Sequence, residues 1–163
     1  MSNSPLLSVR DLSVVFHQGG RESRAVDRVS FDIGRGEIVA LVGESGSGKS
    51  VTALSTVALL GENAQLEGSV KYSGQEMIGA DAARLRKVRG NDISFIFQEP
   101  MTSLNPLHTI EKQITESLAL HQGLRGAQAK ARVIELLQKV GIPDPESRLQ
   151  SYPHQLSGGQ RQR

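Results

Sequence analysis

Eight consecutive residues, Gly43–Ser50 with the sequence GESGSGKS, carry the most recognisable chemistry of this chain. They match the spacing G-x-x-x-x-G-K-[ST], in which the glycines let the backbone fold closely around phosphate oxygens. Backbone amides then face the negative charge, Lys49 can reach the terminal phosphates, and the Ser50 hydroxyl can ligate Mg²⁺. The segment predicts a P-loop, which by itself does not distinguish GTPases, kinases and transport ATPases. The predicted phosphate-binding residues are Gly43, Glu44, Ser45, Gly46, Ser47, Gly48, Lys49, Ser50 and Val51, with Lys49 also assigned to catalysis.

A second group of residues able to bind an anion, LSGGQ at Leu156–Gln160, lies far along the chain. Ser157 can donate its hydroxyl, and Gly158 and Gly159 can present backbone amides at a predicted helix start. Two such separated elements predict a nucleotide site that one chain leaves incomplete. The alternative is that Ser157 only caps a helix.

The elements that position these motifs are strands before residue 98 and helices after it. Short apolar or alternating runs predict strands at Leu7–Phe16, Val29–Ile33, Glu37–Val42, Val70–Tyr72 and Ile93–Phe97. The run EIVALV at Glu37–Val42 is almost wholly apolar, as is typical of a strand buried on both faces of a sheet. The turn-prone segment His17–Ser23 separates the first two strands.

Helical periodicity follows in the second part of the chain. Ile110, Ile114 and Leu118 recur every four residues, and a second apolar stripe from Val133 to Val140 is followed by Gly141 and Pro143, which end a helix. The charged segment Arg84–Arg89 is interpreted as a solvated helix face. Strands with a motif-bearing helix, followed by helices, predict an α/β fold.

Composition sets further bounds. The 163 residues suffice for one domain or a piece of one, and 37% hydrophobic with 22% charged residues are ordinary for a globular protein. A net charge of +2 does not by itself indicate a nucleic-acid partner, and the absence of cysteine excludes disulfides and thiolate metal sites. The N-terminus lacks signal-peptide features, and the most apolar run, Val51–Leu60, is too short to span a bilayer.

Combined with the P-loop, LSGGQRQR at Leu156–Arg163 resembles the signature of the ATP-binding cassette (ABC) family. FQEPMTSLNP at 97–106 is similar to that family's Q-loop, with Gln98 following an apolar run. The amino-acid sequences of these segments are most similar to those of peptide importers of the oligopeptide, dipeptide and microcin C type. The resemblance implies an α/β P-loop NTPase (ABC ATPase) core with an antiparallel β subdomain and an α-helical subdomain, truncated after the signature. Residues 1–98 would form the ATP-binding core and β subdomain, and residues 99–163 the Q-loop, helical subdomain and signature.

The resemblance also implies roles for individual residues and for the cofactors ATP and Mg²⁺. Ser157, Gly158, Gly159 and Gln160 would bind the γ-phosphate of ATP held by a second ABC ATPase domain, in a head-to-tail dimer. Gln98 would act in catalysis and, with Ser50, at the metal, although a polar strand end is an alternative. Phe16 would stack on adenine, although a lone phenylalanine is also a natural core residue. The residues expected near the membrane subunit are Pro100, Met101, Leu104 and Pro106, although an exposed proline-rich loop is equally natural there.

The function implied is that of an ATPase subunit that couples ATP binding and hydrolysis to the import of peptides or peptide-like substrates. Transmembrane permease subunits, and indirectly a periplasmic or extracellular substrate-binding protein, would be its partners, on the cytoplasmic face of the inner membrane. An Asp-Glu strand and a switch histidine, which follow the signature in this family, cannot be placed, so we expect an N-terminal portion of one cassette. The alternative is a catalytically incomplete ATP-binding fragment without transport activity. A cassette ATPase acting on DNA is disfavoured, because the chain has no cysteine and no sustained heptad pattern.

Overall fold

The computed structural model describes residues 4–97 and 103–163, which divide into two compact units, Met1–Arg89 and Gly90–Arg163. Gln98, Pro100 and Met101 lie outside the described residues. The boundary predicted at residue 98 falls there as well and stays a prediction.

The first unit is built on an antiparallel sheet of four strands in the order β2-β1-β3-β4. The strands are β1 (Leu7–Gln18), β2 (Arg21–Ile33), β3 (Ala64–Tyr72) and β4 (Gln75–Glu76). A tight turn at Gly19 and Gly20, both with positive φ, joins β1 to β2, so β2 begins earlier than its alternating apolar residues predict. Two helices belong to the same unit, α1 (Lys49–Ser55) and α2 (Ala82–Val88).

The core of the first unit lies on the central strand, β1. Val9, Leu12 and Val14 are completely buried there, together with Val70 of β3 and Met77 after β4. The pairing of β1 with β3 shifts register between Arg10 and Ser13, a β-bulge that brings the two backbones unusually close. A Cβ atom on Gly68 would lie 2.5 Å from the Asp11 carbonyl oxygen, and Gly68 has φ of 98°, so this position requires glycine.

The strands predicted at Glu37–Val42 and Ile93–Phe97 are wrong. Residues 37–42 and 94–97 lie outside every strand of the described chain, and Ile93 makes only an isolated bridge. Ile38 is 97% exposed, Val42 85% and Ile96 98%, so neither run is buried. The physical reason is that a strand needs neighbours for its backbone donors and acceptors. The apolar composition indicated a tendency to be buried, but no described strand pairs with either run.

The second unit is helical, as predicted. It contains α3 (Ile110–Gln122), α4 (Gly126–Lys139), α5 (Pro145–Arg148), a short 3-10 helix at Pro153–Gln155, and α6 (Gly158–Gln162). The Thr109 hydroxyl accepts a hydrogen bond from the Lys112 amide and caps the start of α3, which ends at Gly123 with φ of 68°. Helix α4 ends just before Gly141, with φ of 71°, which confirms the predicted stop.

One apolar cluster holds the second unit together, and it joins α3 and α4 to the segment that leads to the signature. Leu104 packs against this cluster, whereas Pro106 is exposed. None of the helices in the described ranges is long and apolar enough to cross a membrane. The buried members of the cluster are Ile110, Leu118, Val133, Leu137, Ile142, Leu149 and Leu156.

Candidate functional site

The predicted P-loop connects the exposed run after β2 to helix α1. A turn closed by a hydrogen bond from the Ser47 amide to the Glu44 oxygen (3.2 Å) reverses the chain, and α1 begins at Lys49. Gly46 and Gly48 have φ of 81° and 89°, a region that side chains other than glycine rarely adopt. The local sequence therefore dictates a tight loop followed directly by a helix, as the motif predicts.

Gly48 is required by packing as well as by its backbone angle. A Cβ atom at this position would lie 2.4 Å from the Ala25 carbonyl oxygen of β2 and 3.3 Å from a methyl group of Val26. Only a residue without a side chain lets the loop lie this close to the strand. Gly48 thereby allows the start of α1 to lie directly against β2.

The ammonium group of Lys49 lies at the mouth of the loop. It donates to the carbonyl oxygens of Gly43 (2.8 Å) and Glu44 (2.6 Å), and it lies 3.4 Å from the Ser47 hydroxyl oxygen. The exposed hydroxyl of Ser50 follows in the first turn of α1. A lysine ammonium group, a neighbouring hydroxyl and glycines that leave room for the ligand are the groups that a Mg²⁺-bound phosphate chain needs. The residues present fit ATP and Mg²⁺.

The buried side of helix α1 carries two hydroxyl groups that bond within the helix itself. The Thr52 hydroxyl donates to the Gly48 oxygen (3.0 Å) and the Ser55 hydroxyl to the Val51 oxygen (2.7 Å), and both side chains are buried. Because these hydroxyls bond to their own helix, they can be buried against the unit without an unsatisfied polar group. The helix that carries Lys49 and Ser50 is thus held by packing on its far side.

Phe16 lies near the end of β1, where it pairs with Ser23 of β2 and Ala64 of β3. Its side chain is half-buried, which suits both a stacking surface and a core position. The neighbouring His17 amide donates to the Asn63 oxygen (2.8 Å) and ties this strand end to the start of β3. The role of Phe16 in binding adenine stays a prediction.

The signature residues form a reciprocal helix cap. The Ser157 hydroxyl oxygen accepts from the Gln160 amide (3.2 Å), while the Gln160 side-chain oxygen accepts from the Ser157 amide (2.9 Å). Because Ser157 acts as acceptor in this cap, its hydroxyl proton remains available for donation. A Cβ atom on Gly158 or Gly159 would meet no described atom within 4 Å. Ser157 therefore caps a helix, as the alternative interpretation of this residue proposes, and both glycines are exposed.

The predicted site residues do not all fall in one unit. The P-loop and Phe16 belong to the first unit and the signature to the second, while Gln98 lies outside the described residues. The two predicted anion-binding elements, which are far apart along the chain, thus belong to two different compact units. The roles of all these residues in binding and catalysis stay predictions.

One arginine that contacts the segment after α1 was missed by the sequence analysis. Arg89, interpreted as part of a solvated helix face, is half-buried and donates to the carbonyl oxygens of Val57 (2.9 Å) and Ala58 (2.5 Å), just beyond α1. Its neighbours Arg86 and Lys87 are exposed, as predicted. The interpretation was wrong for Arg89 because its partners are distant in sequence, and a run of charges contains no signal for them.

Two relatives illustrate what the chain is similar to. It is 63% identical to the peptidoglycan transport ATP-binding protein YejF of Agrobacterium fabrum, over 99% of this chain and 30% of that protein. It is 46% identical to the dipeptide transport ATP-binding protein DppD of Lactococcus lactis, over 100% of this chain and 47% of that protein. The chain thus spans less than half the length of either relative.

Solved structures and a family model agree with these relatives. The dimeric ATP-binding cassette MJ0796, in a post-hydrolysis state bound to ADP and Pi, matches with a TM-score of 0.79 and 26% identity, over 95% of this chain and 65% of that one. The α/β cassette fold predicted from the sequence is confirmed by this likeness. The family model described as ABC transporter matches residues 26–163. The chain belongs to the ABC transporter family.

Proposed function

We propose that the chain supplies the nucleotide-binding elements of an ABC ATPase that couples ATP binding and hydrolysis to the import of peptides or peptide-like compounds. The observation that carries this proposal is the complete P-loop, in which Gly48 lies against Ala25 and the Lys49 ammonium lies over the loop mouth. A glycine-rich loop that holds a lysine in this place is built for a phosphate chain.

The residues of the P-loop divide the task of holding the nucleotide. When ATP binds, the Lys49 ammonium exchanges its hydrogen bonds to the Gly43 and Glu44 carbonyls for hydrogen bonds to phosphate oxygens. Phosphate is the better partner, because donor and acceptor then carry opposite charges. The loop backbone from Glu44 to Val51 supports the phosphates, and Ser50 ligates the metal. Bound Mg²⁺ neutralises the charge that develops on the transferred phosphate. Phe16 supports the base, and Gln98 positions the attacking water and contributes to the metal site.

The signature acts, in this proposal, on a nucleotide held by another cassette. Gly158 and Gly159 are exposed, and the space beside them is open among the described residues, so a phosphate chain can approach their backbone closely. Ser157 donates the hydroxyl proton that its cap leaves available, and Gln160 completes this group of residues. The dimeric state of the solved cassette supports a head-to-tail pair of ATPase domains.

The transported substrate and the membrane partners are inferred from the relatives. Transport of peptidoglycan and of dipeptides in their names supports a substrate of peptide character. Permease subunits, reached from the cytoplasmic face of the inner membrane, and a substrate-binding protein on the opposite side complete the proposed transporter. Nucleic acid has no part in this proposal.

Titration calorimetry of the 163-residue chain with Mg·ATP tests the nucleotide-binding step. We expect Lys49→Ala to weaken binding roughly tenfold or more, because the charge-assisted bonds to phosphate are lost. Lys87→Ala, which removes an exposed lysine of α2, is the control and should bind like the wild type. A wild-type chain that binds no Mg·ATP, or an unaffected Lys49→Ala variant, would refute the proposal.

A further inference from the structure

We propose that Arg89 is a positioning residue for the P-loop, because its guanidinium fixes the far end of α1 and so the placement of Lys49 and Ser50 at the near end. This inference rests on the proposed nucleotide-binding function of the loop. It concerns a residue that touches neither phosphate nor metal and that acts only through the helix.

The end of α1 is a turn that normally contains glycine. The Leu59 amide donates to the Leu54 oxygen (3.0 Å) and the Ala58 amide to the Ser55 oxygen (3.0 Å), the two hydrogen bonds of a Schellman motif. Ala58 occupies the left-handed position of this motif with φ of 51°. Because a Cβ atom is disfavoured in this conformation, the turn is strained and needs support from its surroundings.

Arg89 supplies that support with two donors of one planar group. Its Nε donates to the Val57 oxygen (2.9 Å) and its Nη2 to the Ala58 oxygen (2.5 Å), and the side chain is half-buried. Carbonyls beyond a helix end have no partner within the helix, so these two bonds satisfy groups that would otherwise be left without one. The fork holds both peptide groups of the strained turn at once, which a single donor could not do.

The support matters at the P-loop because α1 is short and is held tightly at its other end. The helix has seven residues, so a shift of its last turn is transmitted to its first. At that first turn Gly48 lies so close to Ala25 that no added atom fits, and a displacement towards the strand cannot be absorbed there. At the other end of the helix, Val57 follows the last turn and is almost completely buried, which limits how that turn can move. Releasing Arg89 therefore allows α1 to move away from the strand, which would displace Lys49 and Ser50.

The experiment measures the Kd of the full chain for Mg·ATP in a double-mutant cycle of Arg89→Ala and Ala58→Gly. We expect R89A to raise the Kd roughly fivefold to tenfold, as is typical of residues coupled through a shared backbone shift. A58G alone should leave the Kd within about twofold, because glycine adopts the turn without strain. In the double variant the Kd should return at least halfway to the wild-type value. Arg86→Ala, which removes an exposed arginine of α2 three residues before Arg89, is the matched control and should bind like the wild type.

Urea unfolding of each variant separates positioning from simple stability. If R89A lowers stability but the folded chain keeps the wild-type Kd, the inference is wrong, and it is equally wrong if A58G restores no affinity to R89A. Should R89A fail to fold, Arg89→Lys, which keeps the charge without the fork, replaces it in the same cycle with a smaller expected effect. A wild-type chain that binds no Mg·ATP refutes the proposed function and this inference together, whereas normal wild-type binding beside an unaffected R89A refutes the inference alone.

Discussion

The glycines of the P-loop and those of the signature belong to one residue type but have opposite surroundings. Gly48 has φ of 89° and lies against the Ala25 carbonyl, so the fold of this chain alone explains why it is glycine. Gly158 and Gly159 lie in the first turn of α6, and no described atom comes near their missing side chains. A glycine that its own chain does not require, in a helix where alanine is more stable, indicates a close approach by another molecule. Contacts within the chain thus explain the P-loop glycine, whereas the open surroundings of the signature glycines fit our proposal that another molecule approaches them.

Among substitutions that test this comparison between the two sets of glycines, Gly48→Ala should have the largest effect. The clash with Ala25 and the strained φ should destabilise the chain by roughly 2–4 kcal/mol and should abolish measurable Mg·ATP binding. Gly68→Ala is a matched control, since it introduces an equally close clash with Asp11 at φ of 98°, away from the P-loop motif. Urea unfolding should show a comparable loss of stability for both, whereas calorimetry should show that the folded Gly68→Ala chain still binds. Equal loss of binding in the two variants would mean that Gly48 matters only for folding.

Substitution of a glycine in the signature should have the opposite effect on stability. We expect Gly159→Ala to leave stability unchanged or to raise it by about 0.5–1 kcal/mol, since alanine favours the helix more than glycine does. The same change should weaken Mg·ATP-dependent association with a second cassette, because a methyl group enters the space that the partner's phosphate chain occupies in our proposal. Analytical ultracentrifugation with and without Mg·ATP measures this association. A stability loss as large as that of Gly48→Ala would contradict the comparison.

Glu76 provides the smallest and most local test, because every partner that it uses lies in β3 or in the two residues that follow β4. Its carboxylate accepts hydrogen bonds from the Ser69 hydroxyl (2.5 Å) and from the amides of Val70 (2.8 Å), Met77 (3.2 Å) and Ile78 (3.2 Å). Partial burial acts to raise the pKa of Glu76, but these hydrogen bonds outweigh it and hold the pKa below its ordinary value. The ionised carboxylate therefore stabilises the β3–β4 hairpin.

We expect Glu76→Gln to cost about 1 kcal/mol at neutral pH, a modest value because the side chain is exposed and solvent weakens the interaction. Since the folded-state pKa is lowered, the stabilisation is complete above the ordinary carboxyl pKa and is lost as the pH falls through the lowered one. Urea unfolding at neutral and acidic pH should thus show a difference between variant and wild type that disappears in acid. Mg·ATP affinity should not change, and a difference in stability that grows in acid would disprove the assignment.

Local patterns predicted what local interactions determine. The periodicity of Ile110, Ile114 and Leu118 predicts α3, because these residues form one apolar face that must be buried, whichever part of the protein buries it. The P-loop motif likewise predicts a tight loop followed directly by α1. Glu37–Val42 shows where this reasoning fails, since a strand exists only when another backbone lies beside it. Arg89 shows the same for the site: a guanidinium bound to the end of α1 is invisible in a segment that looks like a charged surface. The sequence thus predicts the chemistry of the loop better than its support.

The exposed run at Glu37–Val42 has a thermodynamic consequence for the loop that follows it. Exposed apolar residues that pair with no described strand readily accept a neighbouring strand, and this run leads directly into Gly43. Any polypeptide that pairs with it also fixes the point from which the P-loop starts, so strand pairing and nucleotide binding favour the same ordered backbone. By linkage, each must then strengthen the other by the same factor. In the function that we propose, the affinity of the P-loop for ATP therefore depends on whether a strand is paired with Glu37–Val42.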